Sequence, residues 1–187
     1  MALTAQQLRA SLADLHSADH DRQERAYYAL MAATDETVGW AYSVWDDLLA
    51  TLKTGDNRQR SVAAQVLSSL AKSDPDQRIL KDLPRLVAVT KDERFVTARH
   101  CLQSLWKIGV AGEAQRKALV KALQKRFKEC GTEKNCTLIR YDILVCLRRI
   151  HDTVGDESLP ATAAALMALE QDPKYRKKYA TVWRVRS

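Results

Sequence analysis

Five segments of the chain share one pattern, and their spacing constrains the fold more than any other feature of the sequence. Each begins with an aspartate or asparagine, usually carries an arginine four or five residues later, and continues as a run of small apolar residues. The segments start at Asp21, Asp56, Asp92, Asn135 and Asp172. These starts are 35, 36, 43 and 37 residues apart. A period of this length predicts helix pairs that stack on one another.

The first residues of each segment predict the start of a helix. An Asp or Asn side chain there can accept hydrogen bonds from the unpaired backbone N–H groups of the first turn. The third segment has Val96 or Thr97 at the place where the others have an arginine. The arginines of the other four are Arg25, Arg60, Arg140 and Arg176.

A second set of helices is predicted between these segments from capping residues, apolar stripes and prolines. The signals lie at Thr4 with Gln7, at Trp40 to Leu52 followed by Gly55, at Pro84, at Ala114 to Phe127, and at Ser158 with Pro160. Gly and Pro, which disfavour helix interiors, number only 6 and 4. The sequence therefore predicts ten helices in five antiparallel pairs and no strands.

The series Asp56, Arg60, Ala63, Ala64 and Leu67 resembles the HEAT repeat, and the resemblance covers nearly the whole chain. It implies an all-α fold, a right-handed α-α superhelix (an α-solenoid) of about five antiparallel HEAT-like helix pairs. It also implies that the recurring acidic residue and arginine form polar ladders between repeats and belong to the scaffold. The residue pairs concerned are Asp21/Arg25, Asp56/Arg60, Asn135/Arg140 and Asp172/Arg176.

Length and composition suit one soluble domain over residues 1–187, because 187 residues, 46% of them apolar, can bury a single core. No segment reaches the roughly 18 apolar residues that a membrane span needs, and the N-terminus lacks a secretory signal pattern. Four cysteines are too few for a disulfide framework. We expect a cytoplasmic protein with reduced thiols, no membrane association and no cofactor.

The adjacent His100 and Cys101 raise the possibility of a nucleophile with its base. Consecutive residues of an α-helix point about 100° apart, so they cannot face each other. Cys101 falls on the apolar stripe of its segment, whereas His100 falls on the polar side with Ser104 and Lys107. We interpret Cys101 as a core thiol and expect no catalytic residue in this segment.

Zinc binding is the next possibility, because Cys130, Cys136, Cys146 and His151 lie close in sequence. Structural zinc sites usually use paired ligands two to four residues apart, and these residues do not have that spacing. Cys146 also lies within an apolar run. We therefore expect no metal site.

The function that this architecture favours is a non-enzymatic scaffold that binds an unidentified protein or peptide on its surface. His100 is polar where the equivalent residues of the other segments are apolar or aromatic, so it is either a ligand contact or a hydrogen-bonded structural histidine. Arginine and tryptophan dominate binding hot spots. The candidate contacts are Arg99, His100, Trp106 and Lys107.

Nucleic-acid binding is the alternative, because the positive charge is concentrated in one part of the chain. Residues 1–112 contain 14 basic and 14 acidic residues, whereas residues 113–187 contain 16 and 9. Clustered lysine and arginine near aromatic residues is typical of phosphate binding with base stacking. The candidates are Lys117, Lys121, Lys125 and Lys128 on one helix face, and Lys174, Arg176, Lys177 and Lys178 near the C-terminus.

A third possibility is an enzyme that acts on a nucleic-acid base. Trp40, Tyr42, Trp45, Asp46 and Asp47 are superficially similar to the aromatic and acidic residues of HEAT-like alkylpurine DNA glycosylases. This half of the chain is electrically neutral, whereas a DNA-binding cleft is positive. We therefore expect the tryptophans to pack in the core and the two aspartates to be solvated.

Overall fold

The computed structural model describes residues 5–184, and all regular secondary structure among them is helical, as predicted. The helices are α1 (Ala5–Asp14), α2 (His20–Ala33), α3 (Ala41–Thr54), α4 (Asn57–Leu70), α5 (Arg78–Val89), α6 (Phe95–Ser104), α7 (Trp106–Ala111), α8 (Glu113–Glu129), α9 (Cys136–Val154), α10 (Leu159–Met167) and α11 (Pro173–Ala180). Within the described part of the chain, no helix is long and apolar enough to cross a membrane.

Two compact units make up the chain, the first ending at Cys101 and the second beginning at Leu102. In the first unit, α3 packs along α4. The predicted stripe is present, because Val44, Leu48 and Leu52 are buried on one face of α3 and the helix ends before Gly55. Burial of this stripe holds the two helices together, since each fully buried aliphatic side chain contributes about 1.5–3 kcal/mol.

In the second unit, α9 lies at the centre and contacts α7, α8, α10 and α11. Its length of 19 residues gives it enough turns to reach all four neighbours. The side chains that it buries are Cys136, Ile139, Asp142, Ile143, Leu144, Cys146, Leu147 and Ile150.

The predicted caps are correct at Asp56 and Asp172, whose side chains accept from the N–H groups of Gln59 and Lys174. Asp56 also forms a complete capping box with Gln59. The prediction for Asp21 is wrong by two residues, because α2 begins at His20 and its cap is Asp19.

Asp92 and Asn135 do not cap their helices through side-chain hydrogen bonds as predicted. Asn135 precedes α9 without a side-chain cap. The Asp92 carboxylate instead accepts from the Arg60 guanidinium and from the backbone N–H of Arg94. The backbone bond that opens the helix runs from the Ala98 N–H to the Arg94 carbonyl, so the helix starts later than the sequence predicts.

The second set of helices also differs in detail, and Thr4 lies outside the described residues. The prediction that Pro84 lies in a first turn is wrong, because Pro84 lies inside α5. The Asp74 carboxylate accepts from the N–H groups of Arg78 and Ile79 at 2.9 and 2.7 Å and starts the helix earlier. Ser158 makes no side-chain cap for α10, and its own N–H and hydroxyl donate to Asp156.

The single helix predicted from Asp92 to Gly109 is divided into α6 and α7, which meet at Leu105. Cys101 is fully buried, as predicted. Ser104 was predicted on the polar side with His100, but it is 6% exposed. The expectation for Ser104 is therefore wrong.

Arg60 and Asp92 form a polar contact between consecutive segments of the pattern. Elsewhere the partners differ from those of the pattern. Arg140 Nη1 donates to Glu170 at 2.9 Å, and Arg176 donates to the Glu170 carbonyl. Arg25 is exposed.

Candidate binding groove of the first unit

Three helices of the first unit, α2, α4 and α6, run parallel and in register. Arg58 Nη1 lies 2.6 Å from His20 Nδ1, and seven residues further along both helices Tyr27 donates to Gln65 at 3.0 Å. Thr97 Oγ1 likewise donates to the carbonyl of Asn57 at 2.8 Å, and three to four residues further on Ser61 meets His100. Residues 20–27 of α2, 57–65 of α4 and 97–100 of α6 therefore lie side by side.

An open groove of about 580 Å³ crosses these parts of the three helices. This volume is within the range of pockets that hold small ligands or short peptide segments. The lining comes from all three helices and mixes apolar, hydroxyl, amide and charged side chains. Its members are His20, Gln23, Glu24, Tyr27, Tyr28, Asp56, Asn57, Arg58, Ser61, Val62, Gln65, Val96, Thr97 and His100.

A chain of hydrogen bonds runs along the groove from α2 to α6. The Tyr27 hydroxyl donates to Gln65 Oε1, and Gln65 Nε2 donates to the Ser61 carbonyl and to Ser61 Oγ. Ser61 Oγ then lies 3.1 Å from His100 Nδ1. Burial raises the pKa of Tyr27, and the Tyr28 hydroxyl adds to this effect, so the phenol keeps its proton and remains a donor.

The charged side chains of the groove differ in how they are engaged. Asp56 caps α4. Arg58 contacts the ring nitrogens of His20, which lie on α2. Neither Arg58 nor Glu24 forms an ion pair with any residue between 5 and 184. Both charges are therefore available to a ligand.

Two large apolar side chains at the groove are exposed. Tyr28 on α2 is 61% exposed and Val96 on α6 is 64% exposed. Only two other large hydrophobic side chains in the described part of the chain are exposed, Val154 and Leu169 at 39% and 42%. The two most exposed members of this set therefore border the same groove, which is a feature of interaction surfaces.

The four predicted contact residues are divided between the two units, with Arg99 and His100 in the first and Trp106 and Lys107 in the second. His100 lines the groove, is exposed, and lies within hydrogen-bond distance of Ser61 Oγ. Arg99 is on α6 with its guanidinium 6.0 Å from the Phe95 ring centroid. Trp106 and Lys107 belong to the second unit, where the Arg149 guanidinium lies 5.5 Å from the Trp106 ring.

The predicted basic residues of the second unit are all on its surface. Lys117, Lys121, Lys125 and Lys128 are exposed on α8, opposite the buried Leu119, Leu123 and Phe127. Lys117 pairs with Glu113, and Lys125 pairs with Glu129. Lys174, Arg176, Lys177 and Lys178 are exposed on α11, and Lys178 Nζ lies 5.2 Å from the Tyr141 ring centroid.

The cysteines are buried free thiols. Cys101 Sγ donates to the Leu86 carbonyl at 3.3 Å, and burial, with a smaller effect of Asp92, raises the pKa of the thiol far above its usual range. Cys130 Sγ contacts the carbonyls of Phe127 and Cys136. Among residues 5–184, no group of three or more His, Cys, Asp and Glu side chains could hold a metal ion.

The aromatic and acidic residues of α3 have structural contacts. Trp45 is fully buried, and its indole N–H donates to Asp82 at 2.9 Å. The Tyr42 hydroxyl contacts Asp74. Asp46 is exposed and pairs with Arg78, and Asp47 is exposed. The expectation is confirmed for a packed Trp45 and surface aspartates. Trp40, expected to pack with Trp45, is only half-buried and precedes α3.

Sequence reasoning missed most of the groove, including Tyr28, Arg58, Ser61 and Gln65. One signal was available, because two adjacent tyrosines on an amphipathic helix cannot both face the core. No protein-family model matches this sequence, and no curated protein matches it at a significant level.

Proposed function

We propose that this protein is a non-enzymatic helical-repeat module that binds a peptide segment of another protein in the groove across α2, α4 and α6. The observation that carries the proposal is the placement of Tyr28 and Val96 at the groove. Exposed apolar side chains beside accessible polar groups combine affinity with orientation. The extended surfaces of stacked helix pairs suit binding better than catalysis.

We further propose that the helix pairs form a right-handed HEAT-like superhelix of about five pairs. The bidentate contact between Arg60 and Asp92 supports this, because it joins consecutive segments of the pattern. Arg140 and Glu170, 30 residues apart, make a similar contact in the second unit. The four free, buried thiols support a cytoplasmic location, where thiols stay reduced. A crystal structure of the full chain would test the superhelix.

Selection of random nonapeptides displayed on phage against the full chain tests the binding proposal. Peptides that are enriched are then labelled with fluorescein, and their Kd values are measured by anisotropy. Replacing Tyr28 and Val96 together by serine should weaken binding at least tenfold, because about 1.4 kcal/mol of apolar contact gives that factor.

A double serine variant at Val154 and Leu169 is the matched control, since these residues are the other exposed large hydrophobics. This control should bind within about twofold of the unmodified protein. Equal losses in both variants, or no enrichment of any peptide, would contradict the proposal. Circular dichroism checks that both variants keep their helix content.

Nucleic-acid binding by the second unit is a second candidate, favoured by the exposure of all eight predicted basic residues. The four lysines of α8 lie along about 16 Å of helix, given a rise of 1.5 Å per residue. Retardation of a 20-nucleotide DNA, single- or double-stranded, should then fall steeply with salt. It should disappear when Lys117, Lys121, Lys125 and Lys128 are all changed to glutamate. No retardation at low salt would eliminate this candidate.

A further inference from the structure

The hydroxyl of Ser61 determines which nitrogen of His100 carries the proton. Ser61 is 5% exposed, so its hydroxyl hydrogen needs a protein acceptor. Gln65 Nε2 already donates to Ser61 Oγ, and the same Nε2 lies 3.2 Å from the Ser61 carbonyl, which fixes the orientation of the amide. Among the described residues, the one acceptor that remains for the hydroxyl hydrogen is His100 Nδ1 at 3.1 Å.

All the hydrogen bonds between Tyr27 and His100 are therefore donated in the same direction, from α2 towards α6. Tyr27 donates to Gln65, Gln65 donates to Ser61, and Ser61 donates to His100 Nδ1. An imidazole that accepts at Nδ1 in its neutral form carries its proton at Nε2. Because His100 is exposed and lines the groove, this Nε2–H is a neutral donor that a ligand can reach.

The ligand that such a donor fits is a carbonyl oxygen, which every peptide backbone supplies. The charges of the groove add a second requirement. Arg58 on α4 fits a carboxylate, and Glu24 on α2 fits an ammonium or guanidinium group. Val96 on α6 fits an apolar side chain. The three features lie on three consecutive parallel helices.

The usual spacing of packed helices matches the repeat of an extended backbone. Packed helices have axes about 8–10 Å apart. A polyproline II segment has three residues per turn and rises about 3.1 Å per residue, so residues i, i+3 and i+6 share a face and are about 9 Å apart. Such a segment can place one side chain on each of the three helices.

We infer, on the basis of the proposed function, that the groove binds an extended polyproline II segment. This segment carries a basic residue at position i, an acidic residue at i+3 and an apolar residue at i+6. The basic side chain faces Glu24, the acidic one faces Arg58 and the apolar one faces Val96. His100 Nε2 donates to a backbone carbonyl of this segment, and the chain from Tyr27 through Ser61 orients the ring.

Nitrogen-15 NMR of His100 tests the orientation of the ring without any ligand. At a pH where the imidazole is neutral, Nε2 should show the chemical shift of a protonated nitrogen and Nδ1 that of an unprotonated one. A protonated Nδ1 would overturn the inference, whatever the protein binds.

The ligand is tested with the nonapeptide Pro-Lys-Pro-Pro-Glu-Pro-Pro-Leu-Pro and its reversed sequence, each labelled with fluorescein. Either the forward or the reversed peptide should bind at least fivefold more tightly than a copy with Gln in place of Lys and Glu, because the charged contacts are lost in the copy. Equal binding of all three peptides, or binding of none, would overturn the inference.

Two conservative variants isolate the contribution of His100 as a donor. The amide nitrogen of His100→Gln can replace Nε2, whereas that of His100→Asn can replace only Nδ1. Binding should stay within about twofold in the first variant and fall about three- to tenfold in the second. If the selected peptides need Tyr28 and Val96 but bind both variants equally, this inference fails and the proposed function stands. If no peptide binds although Nε2 is protonated, the proposed function fails.

Discussion

The guanidinium of Arg60 holds the carboxylate of Asp92, 32 residues away, through two hydrogen bonds of 2.6 and 3.0 Å. The Asp92 side chain is 5% exposed and that of Arg60 is 20% exposed, so water screens the pair poorly. Arg60 also donates to the Gly55 carbonyl. This one arginine therefore joins the turn before α4 to the turn before α6.

Replacing Asp92 by asparagine should lower the free energy of unfolding by about 2 kcal/mol, because hydrogen bonds to charged groups contribute about 1.5–3 kcal/mol. Urea unfolding followed by circular dichroism measures this. The neighbouring Glu93, which is exposed, provides the control, and Glu93→Gln should change stability by less than about 0.5 kcal/mol. Equal effects of the two changes on the free energy of unfolding would show that the contact between Arg60 and Asp92 does not stabilise the fold.

Stability should also depend on pH through the same carboxyl group. Burial alone would raise the pKa of Asp92, but the Arg60 guanidinium and the Arg94 N–H outweigh burial and lower the pKa. The carboxyl group of Asp92 therefore binds a proton more readily in the unfolded chain than in the folded protein. The stability that the ionised Asp92 contributes is complete above the unfolded pKa of about 3.9, and it is lost as pH falls through the lower folded pKa. Urea unfolding between pH 3 and 7 measures this. The free energy of unfolding should fall less on acidification in Asp92→Asn than in the unmodified protein. Parallel curves for the two proteins would contradict this.

Gly109 should be intolerant of a side chain although it lies in a helix, α7. A Cβ there would lie 2.5 Å from Ile150 Cδ1 and 2.9 Å from Ile150 Cγ1. Alanine is favoured over glycine in helices by about 1 kcal/mol, but overpacking costs about 1–3 kcal/mol. Because Ile150 is fully buried, we expect Gly109→Ala to lower the thermal midpoint.

Gly131 is the matched control, because a Cβ there meets no atom within 4 Å. Gly131→Ala should be neutral or slightly stabilising. Adding Ile150→Val to Gly109→Ala should recover part of the loss, since valine lacks the Cδ1 atom in the clash. A Gly109→Ala protein as stable as the unmodified one would show that α7 can move away from α9.

The thiols should react only when the protein unfolds. Cys101, Cys130, Cys136 and Cys146 are at most 9% exposed, and burial raises the pKa of Cys130 to about 12. Since the thiolate is the reactive form, Ellman's reagent at pH 8 should label the native protein slowly and all four thiols quickly in guanidinium chloride. Rapid labelling of one native thiol would contradict the packing around that residue.

The sequence predicts the helices well, because composition and periodicity are local properties. It predicts capping less well. The residues after Asp92 look like a helix start, but the carboxylate of Asp92 is taken by Arg60, and no local rule specifies that contact. Pro84 is a good first-turn residue. The Asp74 carboxylate, however, accepts from the N–H groups of Arg78 and Ile79, and the helix begins at Arg78, six residues before Pro84.

The groove is less predictable still, because its residues come from three separate segments. The same groove is lined by Tyr28, Arg58 and Val96. These residues come together only because α2, α4 and α6 pack in this register. That register depends on side-chain contacts between helices, such as those of Tyr27 with Gln65 and Thr97 with Asn57. His100 was found because it is polar where the pattern is apolar, whereas Val96 breaks no local rule.

Peptide binding in the groove is tested most directly by a residue-resolved map of the contact surface. Peptides selected on the full chain are titrated into the nitrogen-15-labelled protein, and the backbone amide shifts are followed. The changes should concentrate at the groove across α2, α4 and α6, with Tyr28, Ser61 and His100 among the residues affected. Changes confined to the lysine-bearing helices α8 and α11 would contradict peptide binding in the groove.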